Sequence, residues 1–333
     1  ANFLDPAGVP IDHHQIADPP PEATALVNPR LAGDKAHGTE LCSVGLGFKL
    51  AHALLKRARD LAIPEAAAFD IKTLLDLVAL GTIADLVPLR GENRILVRAG
   101  LERLNQTQRP GLQALCEVAQ ITSSIGSYEV GFLLSPRLNA AGRLEDAREA
   151  LDLLLASDYP TATRIARSLD SRNRQRQQIE KVMADQVIGA LDARFDPERD
   201  YVIVEGEVVW HIGVVGIVAS RVLQRYYRPT IIMGGDGASW RGSGRSIEGF
   251  DLAAALRSCD EILLRHGGHA MAAGLSIDPG NLAALRQRLN EIARVALTPE
   301  QLRPPLRLDA SAPLHALTEQ ALQELDRLRP TGQ

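Results

Sequence analysis

The chain has 333 residues, 45% hydrophobic and 23% charged, proportions of a globular protein with room for two domains. No apolar run is long enough to cross a bilayer and no basic segment followed by an apolar one opens the chain, so neither a membrane span nor a secretory leader is expected. A net charge of −4 argues against a uniformly basic nucleic-acid coat; any such contact must come from local clusters.

Cys42, Cys116 and Cys259 are odd in number, far apart and form no CxxC, which excludes a disulfide framework or zinc ribbon and suits a reducing, cytoplasmic setting. Lys35, Lys49, Lys56, Lys72 and Lys181 are the only lysines. The other cations are arginines, whose planar fork matches phosphate geometry; coding bias would give the same composition.

In chain order, the first chemistry-bearing stretch is Gly8 to His14. A strand ending at Ile11 would project Asp12, His13 and His14 from its C-terminal edge, where open α/β sheets place ligands. Carboxylate with imidazole suits divalent transition ions. The same residues also read as a polar turn with a surface histidine pair. Residues 15–40 are loop-like, with Pro19-Pro20-Pro21, Asn28-Pro29-Arg30, Gly33 and Gly38. Apolar spacing predicts helices over 41–60 and 70–80, with Gly81 stopping the second. Asp85 then stands among Ala84, Leu86 and Val87. A carboxylate there needs a metal, or an ion pair with Arg90 or Arg94.

Helices are expected over 93–105 and 111–120. Ser135 to Leu144 interleaves Arg137, Asn139 and Arg143 with small residues that let a phosphate approach; pairing of an arginine with Glu145 or Asp146 is the structural alternative. Residues 145–194 are helix formers, with Ser157 or Asp158 capping a helix that Pro160 opens. The segment Asp170 to Gln178 is polar all round, which predicts a connector bridging two domains through solvent.

A second α/β unit follows. Strands are expected at 201–204, 208–210 and 230–233. His211 to about Tyr226 enters a helix, and Leu252–Leu264 and Asn281–Val295 form two more. Glycine-rich stretches carry His211, Arg221, Arg245 and, with Gly267 and Gly268, His269. Backbone N–H groups beside such glycines can face an anion; the glycines can equally permit close packing. Residues 299–333 are proline-rich, then leucine-bearing.

Taken together, Asp12-His13-His14, Gly81 to Leu89, Pro136 to Leu144, Trp210 to Arg221, Gly242 to Ser246 and Gly267 to Gly274 resemble, in order and coarse spacing, the DHH phosphoesterase superfamily, in its branch of single-strand-specific DNA exonucleases. The resemblance implies an α/β architecture: part of a parallel-sheet DHH domain over 1–144, connecting helices over 145–194, a smaller substrate-holding DHHA1 domain over 195–298, and the opening of an oligonucleotide-binding barrel over 299–333.

It also implies 5′-to-3′ hydrolysis of single-stranded DNA in repair and recombination, with two Mn²⁺ or Mg²⁺ ions. His13 and Asp85 would ligate metal. His14 would ligate metal or touch the scissile phosphate, and Asp12 would orient an imidazole. Arg137, Asn139, Arg143, His211, Arg221, Arg245, Gly267, Gly268 and His269 would hold the strand. A helicase or single-strand-binding protein is a candidate partner; a membrane is not. The family's aspartate motifs upstream of Asp-His-His complete its two-metal site, so this polypeptide alone is expected to be a poor nuclease. Three alternatives stay open: a DHH phosphodiesterase acting on short oligoribonucleotides or cyclic dinucleotides, a non-catalytic nucleic-acid-binding relative, and an aminoacyl-tRNA-related DHHA1 module, which would lack the Asp-His-His half.

Overall fold

A computed structural model describes residues 8–16, 20–31, 40–235 and 237–332; Pro19, Gly33, Lys35 and Gly38 lie outside them. The chain divides into two compact units. A helical unit takes Ala1–Asn139, Ala147–Asp170 and Ala312–Gln333, and a sheet unit takes Ala140–Asp146 and Ser171–Ser311. No helix among the described residues is long and apolar enough to cross a membrane.

The helical unit runs α1 (Ser43–Asp60), α2 (Pro64–Ala68), α3 (Leu75–Ala84), α4 (Gly91–Leu104) and α5 (Pro110–Val118). A π-helical turn, Glu129–Leu134, leads into α6 (Ser135–Leu144), followed by α7 (Arg148–Leu155). Helix α3 buries Leu75, Val78, Ala79, Leu80 and Ile83 and packs against α4 and α1. The expectation that Gly81 stops this helix is wrong. The helix passes through it, because a Cβ there would sit 2.7 Å from Val44 Cγ1; the glycine serves the close approach of α1. The turn comes later, at Leu86, which has φ +59°. Of the parallel sheet expected for this half, the described residues retain one parallel bridge, Ile11 with Val27.

Helix α8 (Tyr159–Asp192) is the long connector, with 34 residues, and Asp158 caps it by accepting from the Thr161 N–H. Its polar middle is not solvated all round. Asp170, Asn173, Arg176 and Glu180 are buried, while Ser171, Arg174, Gln175, Gln177 and Gln178 are exposed. The buried residues recur at three- and four-residue spacing and so share one face.

The sheet unit contains β1 (Ile203–Glu207), α9 (Val215–Tyr226), β2 (Thr230–Gly235), β3 (Trp240–Arg245), α10 (Leu252–Arg257), β4 (Leu263–His269), β5 (Ala272–Ile277) and α11 (Leu282–Ala296). Its strand order is β1-β2-β3-β5-β4, with β1 and β2 parallel and the other pairs antiparallel. Strand alternation divides the core. Ile203 and Ile232 pack with Met183, Val187 and Leu191 of α8 and with Val215, Val218 and Val222 of α9. Val204, Ile231 and Met233 face the opposite way, toward Leu252 and Leu256 of α10 and Leu285 and Leu289 of α11. A sheet covered on both faces needs apolar residues at consecutive positions, hence Ile231-Ile232-Met233.

Two expected elements change here. Val208 to Trp210 is a turn rather than a strand, closed by Trp210 N–H to the Glu207 carbonyl. The helix expected over 252–264 stops at Arg257, and β4 begins at Leu263. Gly242 to Arg245 lies in a central strand, where the missing side chains of Gly242 and Gly244 admit Met233 and Leu252. Beyond α11, residues 306–309 form no strand, and α12 (Glu319–Asp326) is capped by Thr318. In the helical unit, Arg94 donates to the carbonyls of Leu328 and Pro330.

Candidate metal centre and candidate anion site

In the helical unit, the bridge at Ile11 delivers the chain to Asp12, whose N–H donates to the Val27 carbonyl. Asp12 Oδ1 then accepts from the His13 N–H at 2.8 Å, the His14 N–H at 3.4 Å and His14 Nδ1 at 2.8 Å. Burial works to raise the Asp12 carboxyl pKa, but the hydrogen bonds from the His14 ring and the two amides outweigh it and hold it below the usual value. The turn is braced from outside as well: Asn28 donates to the His14 carbonyl and Arg30 to the His13 carbonyl.

His13 is the inner histidine, with 17% of its side chain exposed against 72% for His14. Its Nδ1 lies 3.1 Å from Ser43 Oγ at the start of α1, and its Nε2 lies 3.1 Å from Asp85 Oδ2 at the end of α3. The sequence therefore converges as expected on His13 and Asp85. The ion pairs considered for Asp85 yield to this contact, since Arg94 is engaged by backbone carbonyls.

The donor set fits a divalent ion. Two donors at right angles on one ion, each about 2.1–2.2 Å from it, lie roughly 3 Å apart, close to the 3.1 Å observed between His13 Nε2 and Asp85 Oδ2. Asp12, His13 and His14 also bring ligand atoms within 4.8 Å of one another. A proton on His13 Nδ1 donated to Ser43 would leave Nε2 as the ligating nitrogen, the arrangement that a hydrogen-bond partner behind a ligating imidazole commonly enforces. By contrast, the buried Asp76 is fully engaged by the Leu77 N–H, Thr107 Oγ1 and Arg109 Nε at 2.9 Å, which marks it as structural.

The Arg137–Asn139–Arg143 trio separates. Arg137 donates through Nε to Asp170 at 2.9 Å and through Nη1 to the Leu133 carbonyl, so part of its fork is taken up by the fold. Asn139 is exposed. Arg143 belongs to the sheet unit, and Glu145, its expected partner, instead pairs with Arg172 at 2.6 Å.

Within the sheet unit, Arg143 and Arg245 have no carboxylate within ion-pair distance among the described residues. Burial, then the charge of Arg143, lowers the Arg245 pKa. Burial, then Arg176, lowers that of Arg143, with Glu180 opposing. Arg245 Nη1 is oriented by Ser243 Oγ at 2.8 Å and by the Gly244 carbonyl. Gly213 lets the loop before α9 meet α6, where a Cβ would lie 1.9 Å from the Arg143 carbonyl oxygen. At Gly216, a Cβ would come within 3.0 Å of Arg245 Nη2.

Two histidines join this cluster's margin with matching tautomers. His211 Nδ1 accepts from the Gly213 N–H, and His269 Nδ1 accepts from the Met271 N–H. A ring that accepts at Nδ1 offers its Nε2 N–H as a donor. Arg245 and His269 flank Ala272 on one rung across β3, β5 and β4. Rung neighbours point to the same face, which puts these two about 10 Å apart with a small residue between them. Gly267 has open space where a side chain would be, whereas Gly268 (φ +141°) is required by the approach of Ala272 and Ala273. Arg221 forms an ion pair with Glu180, Nε to Oε1 at 2.6 Å. Sequence reasoning missed Ser43, Ser243 and the buried Asn173–Arg176–Glu180 stripe; the helical spacing of that stripe was a usable signal.

Comparison with known proteins bears on both clusters. The DHHA1 domain family matches residues 199–294. The single-stranded-DNA-specific exonuclease RecJ of Bacillus subtilis (strain 168) is 40% identical over 324 residues, covering 96% of this chain and 39% of that protein. The solved structure of RecJ in complex with Mn²⁺ from Thermus thermophilus has a TM-score of 0.82 at 34% identity, covering 98% of this chain and 46% of that one. A structure of exonuclease RecJ bound to manganese has a TM-score of 0.71 at 34% identity, covering 89% of this chain and 71% of that one. The chain thus spans about two fifths of the length of the Bacillus relative.

Proposed function

The chain belongs to the RecJ family of DHH–DHHA1 proteins, and on that premise we propose that it forms part of a metal-dependent exonuclease that hydrolyses single-stranded DNA. The carrying observation is the convergence of His13 Nε2 and Asp85 Oδ2 at 3.1 Å. Metal-bound relatives support Mn²⁺ or Mg²⁺ as the ion. When bound, such an ion supplies an activated water and neutralises charge developing on phosphate oxygens.

The chain's own residues do the rest. Ser43 holds the His13 ring, and Asp12 fixes the turn that presents both imidazoles. Because His14 Nδ1 is engaged by Asp12, a neutral His14 keeps its Nε2 lone pair outward, the form that ligates an ion; a protonated ring would offer an N–H to a phosphate. In the sheet unit, Arg143 and Arg245 supply charge for strand phosphates, with His211 and His269 as Nε2 donors and Arg221 as a further cation. Asn139 and Gly267 offer exposed approach points. Arg137, tied to Asp170, contributes through the placement of α6. Aromatic residues are 4% of the chain, so phosphate contacts rather than base stacking carry affinity.

Digestion in the 5′-to-3′ direction, a role in repair and recombination, a cytoplasmic setting and partnership with a helicase or single-strand-binding protein complete the reading, supported by family resemblance. The test is digestion of a labelled single strand, by this chain and by a version extended upstream through the aspartate motifs that the family carries. Mn²⁺-dependent nucleotide release by the extended version, lost with His13→Ala, is expected. Digestion indifferent to His13→Ala would overturn the proposal.

A further inference from the structure

Glu180 of α8 is buried at 4% exposure and touched by two arginines. Arg221 of α9 pairs with its Oε1, with Nε at 2.6 Å, and Arg176, four residues earlier on α8, donates to its Oε2 through Nη1. Arg176 Nη2 in turn donates to Asn173 Oδ1 at 3.0 Å, while Arg176 Nε is buried with no hydrogen-bond partner among the described residues. A buried arginine with an unmet donor is costly, and apolar side chains of similar volume would fill the same stripe at less cost. The stripe therefore needs a purpose beyond packing.

Arg221 points to one. Its side chain is 50% exposed, and its anchor uses Nε, so Nη1 and Nη2 are not consumed by Glu180. A guanidinium tethered this way is a fork held ready for an oxyanion. Arg143, also in this unit, senses both Arg176 and Glu180 electrostatically, so the stripe adjoins the anion site.

We propose that Glu180 is a positioning residue for strand binding: it holds Arg221 by Nε so that the terminal nitrogens remain for phosphate, and Arg176, braced by Asn173, holds Glu180. This rests on the reading of the sheet unit as a phosphate-binding surface. The sign of the expected effect separates positioning from simple charge. As a bare negative charge, Glu180 repels an anionic strand, so removing it would tighten binding. As a positioning residue, its alteration weakens binding.

The experiment measures binding of a fluorescent, 5′-phosphorylated oligothymidylate to the full chain in EDTA, with the melting temperature recorded for each variant. Glu180→Asp keeps the charge and withdraws the carboxylate by one methylene; it should weaken binding about tenfold, the scale of one lost charged hydrogen bond. Arg221→Ala should cost as much. Arg221→Lys should cost as much too, since lysine has no fork to divide between Glu180 and a phosphate. In the double variant Glu180→Asp/Arg221→Ala the loss should be no greater than with Arg221→Ala alone. Unchanged affinity in Glu180→Asp, or the same factor lost again in the Arg221→Ala background, would overturn the proposal. So would tighter binding by Glu180→Gln. If the Glu180 variants do not fold, Arg221→Lys decides: wild-type affinity overturns the proposal. Wild-type affinity in Arg221→Ala with a loss in Arg245→Ala removes Glu180 and Arg221 but leaves the phosphate surface standing; wild-type affinity in both removes that surface as well.

Discussion

His13 Nε2 lies 3.1 Å from Asp85 Oδ2, although one residue precedes α1 and the other follows α3. The contact brings an imidazole and a carboxylate to a spacing that suits two ligands of one ion. Calorimetric titration with Mn²⁺ should show binding lost or weakened at least tenfold in His13→Ala and Asp85→Ala. Ser43→Ala, which removes only the partner of His13 Nδ1, should weaken it about tenfold, the lower end of what the hydrogen-bond partners of metal ligands contribute. Wild-type affinity in Asp85→Ala would remove Asp85 from the centre.

The Asp12 turn carries a pH dependence. Its carboxyl is held below the usual value in the folded protein, so its contribution is complete above the unfolded value near 3.8 and is lost as pH falls through the lower folded value. With 42% of the side chain exposed, the global stability effect is small and the local one decides. Exchange protection of the His13 and His14 amides should persist at pH 5 and disappear as the solution is taken below the carboxylate range. Asp12→Ala should lack that protection throughout; protection unchanged by the substitution would show that Asn28 and Arg30 hold the turn by themselves.

Much of this was legible in the chain. Periodicity located α1, α4, α5, α9 and α11, and Pro160 with a cap at Ser157 or Asp158 announced α8, the cap being Asp158. The family resemblance carried by the ordered motifs implied a shared site for His13 and Asp85. What failed has physical causes. Gly81 reads as a breaker because glycine's two uses, conformational freedom and close approach, look identical in sequence; only Val44 across the helix crossing tells them apart. Asp170 to Gln178 reads as solvated because every residue is polar, yet Asp170, Asn173, Arg176 and Glu180 find partners on one buried face. Arg137 and Arg143 carry the same side chain six positions apart, and whether a carboxylate such as Asp170 waits for one of them is a tertiary fact. The β4–β5 hairpin was hidden by glycine and alanine, which lack the β-branched signal of a strand.

Gly81 allows a stability test of the crossing of α1 and α3. In Gly81→Ala the new methyl meets Val44 Cγ1 at 2.7 Å, overpacking that costs about 1–3 kcal/mol. Alanine's better helix propensity returns at most about 1 kcal/mol. The balance should be a lower melting temperature. With Val44→Ala already present, the 2.7 Å contact is gone and Val44 Cβ at 3.1 Å remains, so adding Gly81→Ala should lower the melting temperature less than it does alone. A stabilising Gly81→Ala in the wild-type background would mean that α1 shifts freely and that the glycine is not there for packing.

Arg245 tests whether the sheet unit binds strands through charge. The side chain is aimed by Ser243 and the Gly244 carbonyl, shares a rung with Ala272 and His269, and is destabilised in its charged form first by burial and then by Arg143. The two cations repel each other, and a phosphate between them relieves that repulsion. Arg245→Ala should therefore weaken binding of a single strand most at low salt, where counterion release contributes most. On a plot of log affinity against log salt, the slope should fall by about 0.7, the value for one phosphate contact on a single strand. The two lines should converge as salt rises. Ser243→Ala, which leaves the charge and loosens its aim, should lower affinity with little change in slope. A loss in Arg245→Ala that is equal at every salt concentration would assign the residue to shaping the end of β3 rather than to holding phosphate, and unchanged affinity at low salt would take it out of the site.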